Sequence, residues 1–253
     1  MIRILLALFL LASPAHASEK VIAGLSQNRV AITANFDGTG ILIFGAVKRE
    51  APPPTTEPLD VIIAVSGPER PVVVRKKARV LGIWVNKESR TVSSAPSFYA
   101  IASTGPLPKI LSKSEDLRYK ITIPRMVAEK AAADGLSNID EFASAVIRIR
   151  QHNGLYTEKG GKVNLADQTL FDTQIALPSA LVEGDYKARV FLLRNGRVID
   201  DFSKTIAVRK VGLERWIYNL AHERPLIYGL LSLAIAILAG WLASTIFRLL
   251  KLS

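Results

Sequence analysis

The sequence predicts a mostly β protein: two antiparallel β-sandwich (Ig-like) modules, the second with an inserted amphipathic helix, followed by a single C-terminal transmembrane helix. Three observations carry this expectation. Short apolar runs separated by Gly, Pro, Asn and Asp fill residues 28–85 and 169–208. Between those regions, Ile139, Phe142, Ala143, Val146 and Ile149 fall at helical spacing. Near the end, Leu226 to Phe247 runs without a charge and is rich in Leu, Ile and Ala, long enough for the roughly 30 Å of bilayer hydrocarbon.

At the amino end, MIRILLALFLLASPAHA places Arg3 before the apolar run Ile4 to Ala12 and ends on Ala15-His16-Ala17. A cation, a short apolar core and a small-x-small site make a secretory signal peptide over 1–17. The apolar run is too short to cross a bilayer, which takes about 20 residues. The mature chain is therefore expected to start at Ser18. An exported front and one late span set the expected topology: the body outside the cytoplasm, 226–247 in the membrane, and 248–253 inside. Charge alone does not settle this, because Arg209, Lys210, Arg215 and Arg224 flank the outer side while Arg248 and Lys251 mark the tail. The signal decides, since a long domain translocates largely regardless of charge.

A first β-rich module is expected over 18–110. Asn28 to Phe36 and Ile41 to Val47 flank the turn sequence Asp37-Gly38-Thr39-Gly40. Leu59 to Val65 and Val72 to Val74 flank SGPERP in the same manner, and Arg79 to Val85 reads as a further strand. KREAPPPTTEPL, between the two pairs, is a stiff loop because proline removes ladder donors.

The second module, 111–210, carries the helix 139–151, with Asn138 and Glu141 suited to its start and Asn153-Gly154 to its end. A shorter helix is expected over 126–134. Strands return at 169–177, 186–193 and 198–208, the last two joined by Asn195-Gly196, a pair that accepts the positive φ of a tight hairpin. Leu213, Trp216, Ile217 and Leu220 then form an apolar stripe on a juxtamembrane helix over 211–224. Trp216, Tyr218 and Tyr228 are expected at headgroup depth, anchoring the chain to lipid.

Composition narrows the chemistry. The formal charge is +11, lowered by one if Arg3 leaves with the leader. That excess suits anionic headgroups, an anionic envelope polymer or an acidic partner, whereas an exported body has little access to nucleic acid. With no cysteine and three histidines, His16 among them inside the leader, neither a thiolate zinc site nor a cysteine nucleophile can form. Gly24-Leu25-Ser26-Gln27-Asn28 lacks the closing glycine of a nucleophile elbow. In a phosphate loop Tyr156 would have to be glycine and Val163 a hydroxyl residue, so Lys159-Gly160-Gly161-Lys162 is not one. Asp200-Asp201 reads as a solvated pair on a strand. The expectation is no enzyme, no cofactor and no metal site.

Two surfaces stand out. Arg75, Lys76, Lys77 and Arg79 crowd one strand, with Arg75, Lys77 and Arg79 on a face that would continue as Leu81, Ile83 and Val85. A flat strand cannot be wet and buried on one side, so a bulge or bend is expected near Lys76 to Ala78. Cations at such a rim discourage edge aggregation; the sharper reading makes Arg75, Lys77 and Arg79 an anion or partner contact, strengthened if PSFYA lies beside them. In the span, Ser232, Ala236, Gly240 and Ser244 recur every fourth residue, a face that lets another helix approach closely. It would serve self-association or a membrane-protein partner.

NFDGTGILIFGAV, VRKKARVLGIWVN, PSFYAIAST, LFDTQIALPSALVEGDYKARVFLLRNGRVI and LAHERPLIYGLLSLAIAILAGWLASTIFR together resemble the alphaproteobacterial transmembrane protein family of uncharacterised role. The resemblance covers nearly all of the mature chain. It implies a bacterial cell-envelope protein with one span, encoded beside sulfite-exporter-type anion permeases, hence an accessory subunit of an inner-membrane complex. The alternative is a tethered periplasmic binding module for a small anion or an anionic envelope polymer.

Overall fold

The computed structural model describes residues 19–33, 36–50, 52, 57–133 and 139–251. The expected signal peptide, the Asn138 cap and residues 51 and 53–56 of the proline-rich loop lie outside the described residues. In chain order the elements are strands β1 (Lys20–Leu25), β2 (Arg29–Ile32), β3 (Gly38–Lys48), β4 (Leu59–Ser66), β5 (Glu69–Val80), β6 (Ile83–Pro96) and β7 (Tyr99–Ser103). Four helices follow: α1 (Leu107–Ile110), α2 (Lys113–Tyr119), α3 (Ile123–Ala133) and α4 (Ile139–His152). Then come β8 (Tyr156–Lys162), β9 (Asn164–Ala166), β10 (Leu170–Pro178), β11 (Gly184–Arg194) and β12 (Arg197–Lys210), and finally α5 (Leu213–Glu223) and α6 (Pro225–Lys251). The mostly β class with one apolar C-terminal helix is borne out.

Two compact units result. One joins the chain up to Val30 with Asp37–Val208; the other joins Ala31–Phe36 with Arg209–Ser253. In the first, one sheet has the order β1-β3-β10-β9 and a larger one the order β2-β12-β11-β4-β7-β8, while β5 and β6 pair only with each other. The small sheet is antiparallel throughout; β7 and β8 run parallel. Pairing crosses the boundary expected at 110/111, β3 with β10 and β4 with β11. Residues 18–110 and 111–210 therefore share both sheets and do not close a sandwich each.

Burial shows the layering. In β10, Phe171, Thr173, Ile175 and Leu177 are buried while Leu170, Asp172, Gln174 and Ala176 are exposed, the alternation of a sheet covered on one side. In β4 every residue from Val61 to Val65 is buried, so the larger sheet is covered on both faces at its centre. One face meets the small sheet: the Val21 N–H donates to Asp200 Oδ2 at 2.6 Å, and Thr173 Oγ1 donates to the Lys162 carbonyl at 3.1 Å. Asp200, expected in solvent, thus ties the sheets together. On the other face Ile62, Ala64, Ile101 and Phe191 pack with Ile121, Val127, Phe142 and Val146 of the helical layer.

Close approach explains one glycine. A Cβ on Gly45 would stand 2.4 Å from the Phe171 ring and 2.5 Å from the Ile22 carbonyl oxygen, so only glycine lets β1 and β10 flank β3 there. Turn chemistry explains the closing hairpin: Asn195 and Gly196 have φ of 49° and 75° between β11 and β12, as the sequence predicts. The other expected hairpins differ. β2 lies beside β12, β3 pairs with β1 and β10, and β4 pairs with β7 and β11. The residues read as a strand over Arg79 to Val85 contain a two-residue turn, Leu81 and Gly82, joining β5 to β6.

In the second unit the Val211 N–H donates to the Ile32 carbonyl at 2.9 Å. Arg224, with φ −138°, separates α5 from α6, and Pro225 opens α6, where its missing N–H is least costly. The apolar part, Pro225–Phe247, has 23 residues and a mean hydropathy of 2.2. At about 1.5 Å per residue it is roughly 35 Å long, enough to span.

Candidate functional site

The basic strand is positioned by its partner strand and by α4. β5 and β6 form a long hairpin whose base is buried at Val74, Val92 and Ala95 against the helical layer. Two ion pairs hold it there: Lys130 Nζ to Glu69 Oε1 and Lys76 Nζ to Glu141 Oε1, each at 2.7 Å. The hydrogen bond from Lys130 and a second from Ser94 keep the Glu69 carboxyl below its ordinary range. The expected bulge is present: Lys76 faces Glu88 and Lys77 faces Asn86, so Lys87 is the extra residue.

α4 presents its apolar stripe inward, with Phe142, Ala143 and Val146 buried, and ends as expected. Gly154 has φ 68°, its N–H donates to the Gln151 carbonyl, and the Leu155 N–H donates to the Arg150 carbonyl, the paired bonds of a Schellman stop. Glu141, in the first turn, pairs with Lys76 of the hairpin.

Between α4 and β5 lies a cleft of about 480 Å³. Val74 and Phe142 contribute apolar surface; Arg75, Lys76, Lys77, Ser144 and Arg148 supply donors, and Glu141 is the one carboxylate of the lining. Its hydrogen bond to Lys76 raises that amine's pKa. Among the described residues Arg75, Lys77 and Arg148 make no salt bridge. Both Lys76 and Glu141 are about half exposed, 49% and 53%, so their pair is weak and readily rearranged. The arrangement can hold an anionic group by charge and hydrogen bonds.

Two of the three expected contacts, Arg75 and Lys77, meet in this cleft. Arg79 lies beyond it, its Nε–H donating to the Gly82 carbonyl at 3.3 Å in the hairpin turn. Sequence reasoning placed Arg148 beside an apolar stripe without assigning it to the site; helical phase was the available signal, since Arg148 lies off the buried face. PSFYA does not join the cleft. Phe98 and Tyr99 are core residues, and Tyr99 Oη donates to the Ile121 carbonyl while accepting from Arg189. Among the described residues no group of three His, Asp or Glu side chains could hold a metal.

In α6, Ser232, Ala236, Gly240 and Ser244 are exposed along one face, and nothing lies within 4 Å of a Cβ built on Gly240. In α5, Trp216 is 55% exposed, and Tyr218 stacks on His222 at 4.0 Å between ring centroids. Tyr228 stands one turn into α6 and is exposed.

A family model described as "Putative transmembrane protein (Alph_Pro_TM)" matches residues 20–249, which include both sheets, the helical layer, the cleft and the span. The chain belongs to this family. Membership in a transmembrane family, together with a single apolar C-terminal helix, fits single-pass membrane anchoring. None of the curated proteins compared with this family member matches it.

Proposed function

We propose that this protein is a non-enzymatic accessory subunit of a bacterial inner-membrane complex, with its β-rich body in the periplasm and an anionic group of its partner or cargo held in the α4–β5 cleft. The observation that carries the reading is the cation surplus of that cleft: Arg75, Lys77 and Arg148 stand with Lys76 around one carboxylate, Glu141. Clustered cations on partly apolar walls attract and orient an anion. The exposed small-residue face of α6 supports a helix partner in the membrane, and a sulfite-exporter-type permease is the partner the family resemblance suggests. The export signal read at 1–17 supports the periplasmic side; protease added to spheroplasts should then digest the body and spare the tail, and the reverse pattern would overturn the orientation.

The test is mild-detergent co-purification of the full chain and of an Arg75→Ser, Lys77→Ser, Arg148→Ser variant, with mass spectrometry of the proteins captured by each. Loss of a membrane partner from the variant supports the subunit reading. Identical partners in both overturn the cleft's role. The same cleft favours a second reading, a tethered binder of a free anion or acidic polymer. In that case sulfate, sulfite or an acidic polysaccharide raises the melting temperature of the full chain and not of the variant.

A further inference from the structure

Beyond the cleft, the β5–β6 hairpin continues to a tip that breaks the usual rules for a surface turn. Val80 pairs with Ile83 and Arg79 with Trp84 across the turn Leu81-Gly82. Leu81 is 100% exposed, Trp84 68%, Ile83 65% and Val80 45%. Side chains directly opposite one another share a face, so Ala78, Val80, Ile83 and Val85 make an apolar face, while Lys77, Arg79, Trp84 and Asn86 make the other. From Lys76, which pairs with Glu141 of α4, to Val80 is roughly 13 Å at about 3.3 Å per residue.

The same chain shows what this turn looks like when only geometry matters. Between β11 and β12, Asn195 and Gly196 have φ of 49° and 75°; here Leu81 and Gly82 have φ of 49° and 89°. A polar asparagine suits the left-handed first position, and leucine is a poor choice there. The backbone thus gives no reason for leucine, and water gives a reason against it. The flanks carry the second signal: residues 77–87, KARVLGIWVNK, hold Lys77, Arg79 and Lys87 and no carboxylate. None of the three makes a salt bridge among the described residues.

We propose that the β5–β6 tip is a second membrane contact, inserting Leu81, Ile83 and Trp84 shallowly into a bilayer surface whose anionic headgroups meet Lys77, Arg79 and Lys87. Exposed aliphatic residues with a tryptophan, backed by cations, match the layered chemistry of that surface: hydrocarbon, then interface, then phosphate. A bilayer is always at high local concentration, because the same chain carries the span Pro225–Phe247. A specific protein interface takes about 800 Å² from each partner, which suits a broad face better than a convex two-residue turn. This contact shares only Lys77 with the cleft: Arg79, Leu81, Ile83, Trp84 and Lys87 lie outside the cleft lining, so the tip keeps its apolar residues and two cations whether or not the cleft holds an anion.

The experiment uses the full chain with Trp216→Phe and Trp241→Phe, so that Trp84 is the sole tryptophan, reconstituted into phosphatidylcholine vesicles or into phosphatidylcholine–phosphatidylglycerol vesicles, with and without brominated acyl chains. In the mixed vesicles Trp84 emission should shift to the blue and be quenched by bromine, and high salt should reverse both. Leu81→Asn, which installs the residue found at the equivalent turn, should keep or raise the melting temperature while reducing the quenching. Unshifted, unquenched Trp84 emission in the mixed vesicles overturns the proposal, and so does equal quenching with and without phosphatidylglycerol. A photocrosslinker at position 81 that captures a protein in cells and no lipid assigns the tip to a protein partner and overturns it as well.

Discussion

Glu19 offers the sharpest test of how the body is held together. Its Oε1 accepts from Arg49 Nε at 2.5 Å and Arg194 Nη2 at 2.8 Å, and its Oε2 accepts from Arg194 Nε at 2.6 Å. All three side chains are buried, 7 to 9% exposed. Arg194 also donates to the Glu57 carbonyl and Arg49 to Gln168 and Thr169. One carboxylate therefore joins the segment before β1 to the segment after β3 and to the end of β11. Glu19→Gln keeps the shape but turns one acceptor into a donor facing Arg194, leaving two buried guanidinium groups without their counter-charge. Breaking a buried pair by removing one partner costs about 3–5 kcal/mol. The surviving carbonyl partners of both arginines argue for the lower end, about 3 kcal/mol. For a body of this size that is a fall of about 6–12 °C in melting temperature, readable by scanning the full chain in detergent at neutral pH.

The acid limb supplies a second readout. The Arg194 hydrogen bond first, with Arg49 and against the opposing effect of burial, holds the Glu19 carboxyl below its ordinary value of 4.5. A depressed folded pKa contributes stability that is complete above the unfolded value and disappears as pH falls through the folded one. The gap between wild type and Glu19→Gln should thus be constant near neutrality and close only below about pH 4.5. A variant that melts with wild type at neutral pH, or a gap that does not narrow in acid, refutes the reasoning.

Other perturbations follow from single contacts. Gly45→Ala must displace the Phe171 ring and the Ile22 backbone, an overpacking cost of about 1–3 kcal/mol, measured by the same melt. Arg189→Met strands the Tyr119 and Lys120 carbonyls at the end of α2 and removes the donor to Tyr99 Oη; the expected loss is about 1–3 kcal/mol, with the span unaffected. Gly240→Leu places a bulky side chain on the small-residue face and should weaken co-purification of a membrane partner without changing the melt of the body. Retention of every partner after that change removes this face from the functional reading.

Part of the candidate site was legible in the sequence. Arg75 and Lys77 stand out by local charge; the register does shift at Lys76/Lys77, but the extra residue is Lys87 of β6, and with Leu81 and Ile83 exposed past a turn the wet-and-buried conflict that predicted it does not arise. Arg148 and Glu141 could not be joined to them, because a helix phase says which residues face the core and not which strand crosses above. Arg79 shares the Lys77 face of β5 but stands past the cleft lining, and the residues after it form a turn that alternation does not reveal. Leu81-Gly82 is an uncommon turn pair, and reading it as strand carried the alternation straight through a reversal.

The sequence by itself determined the features whose causes lie within a few turns of chain: the uncharged run that makes α6, the apolar period and glycine stop of α4, and the Asn195-Gly196 hairpin. Each is set by local composition or backbone preference, so neighbours suffice to specify it. Only the tertiary structure decided that β3 lies against β10, that β4 lies between β11 and β7, and that α4 closes a cleft over β5. Alternation tells a strand which side is buried but leaves its two edges open to any partner with the same period, and the choice is made by how all the apolar faces are covered at once.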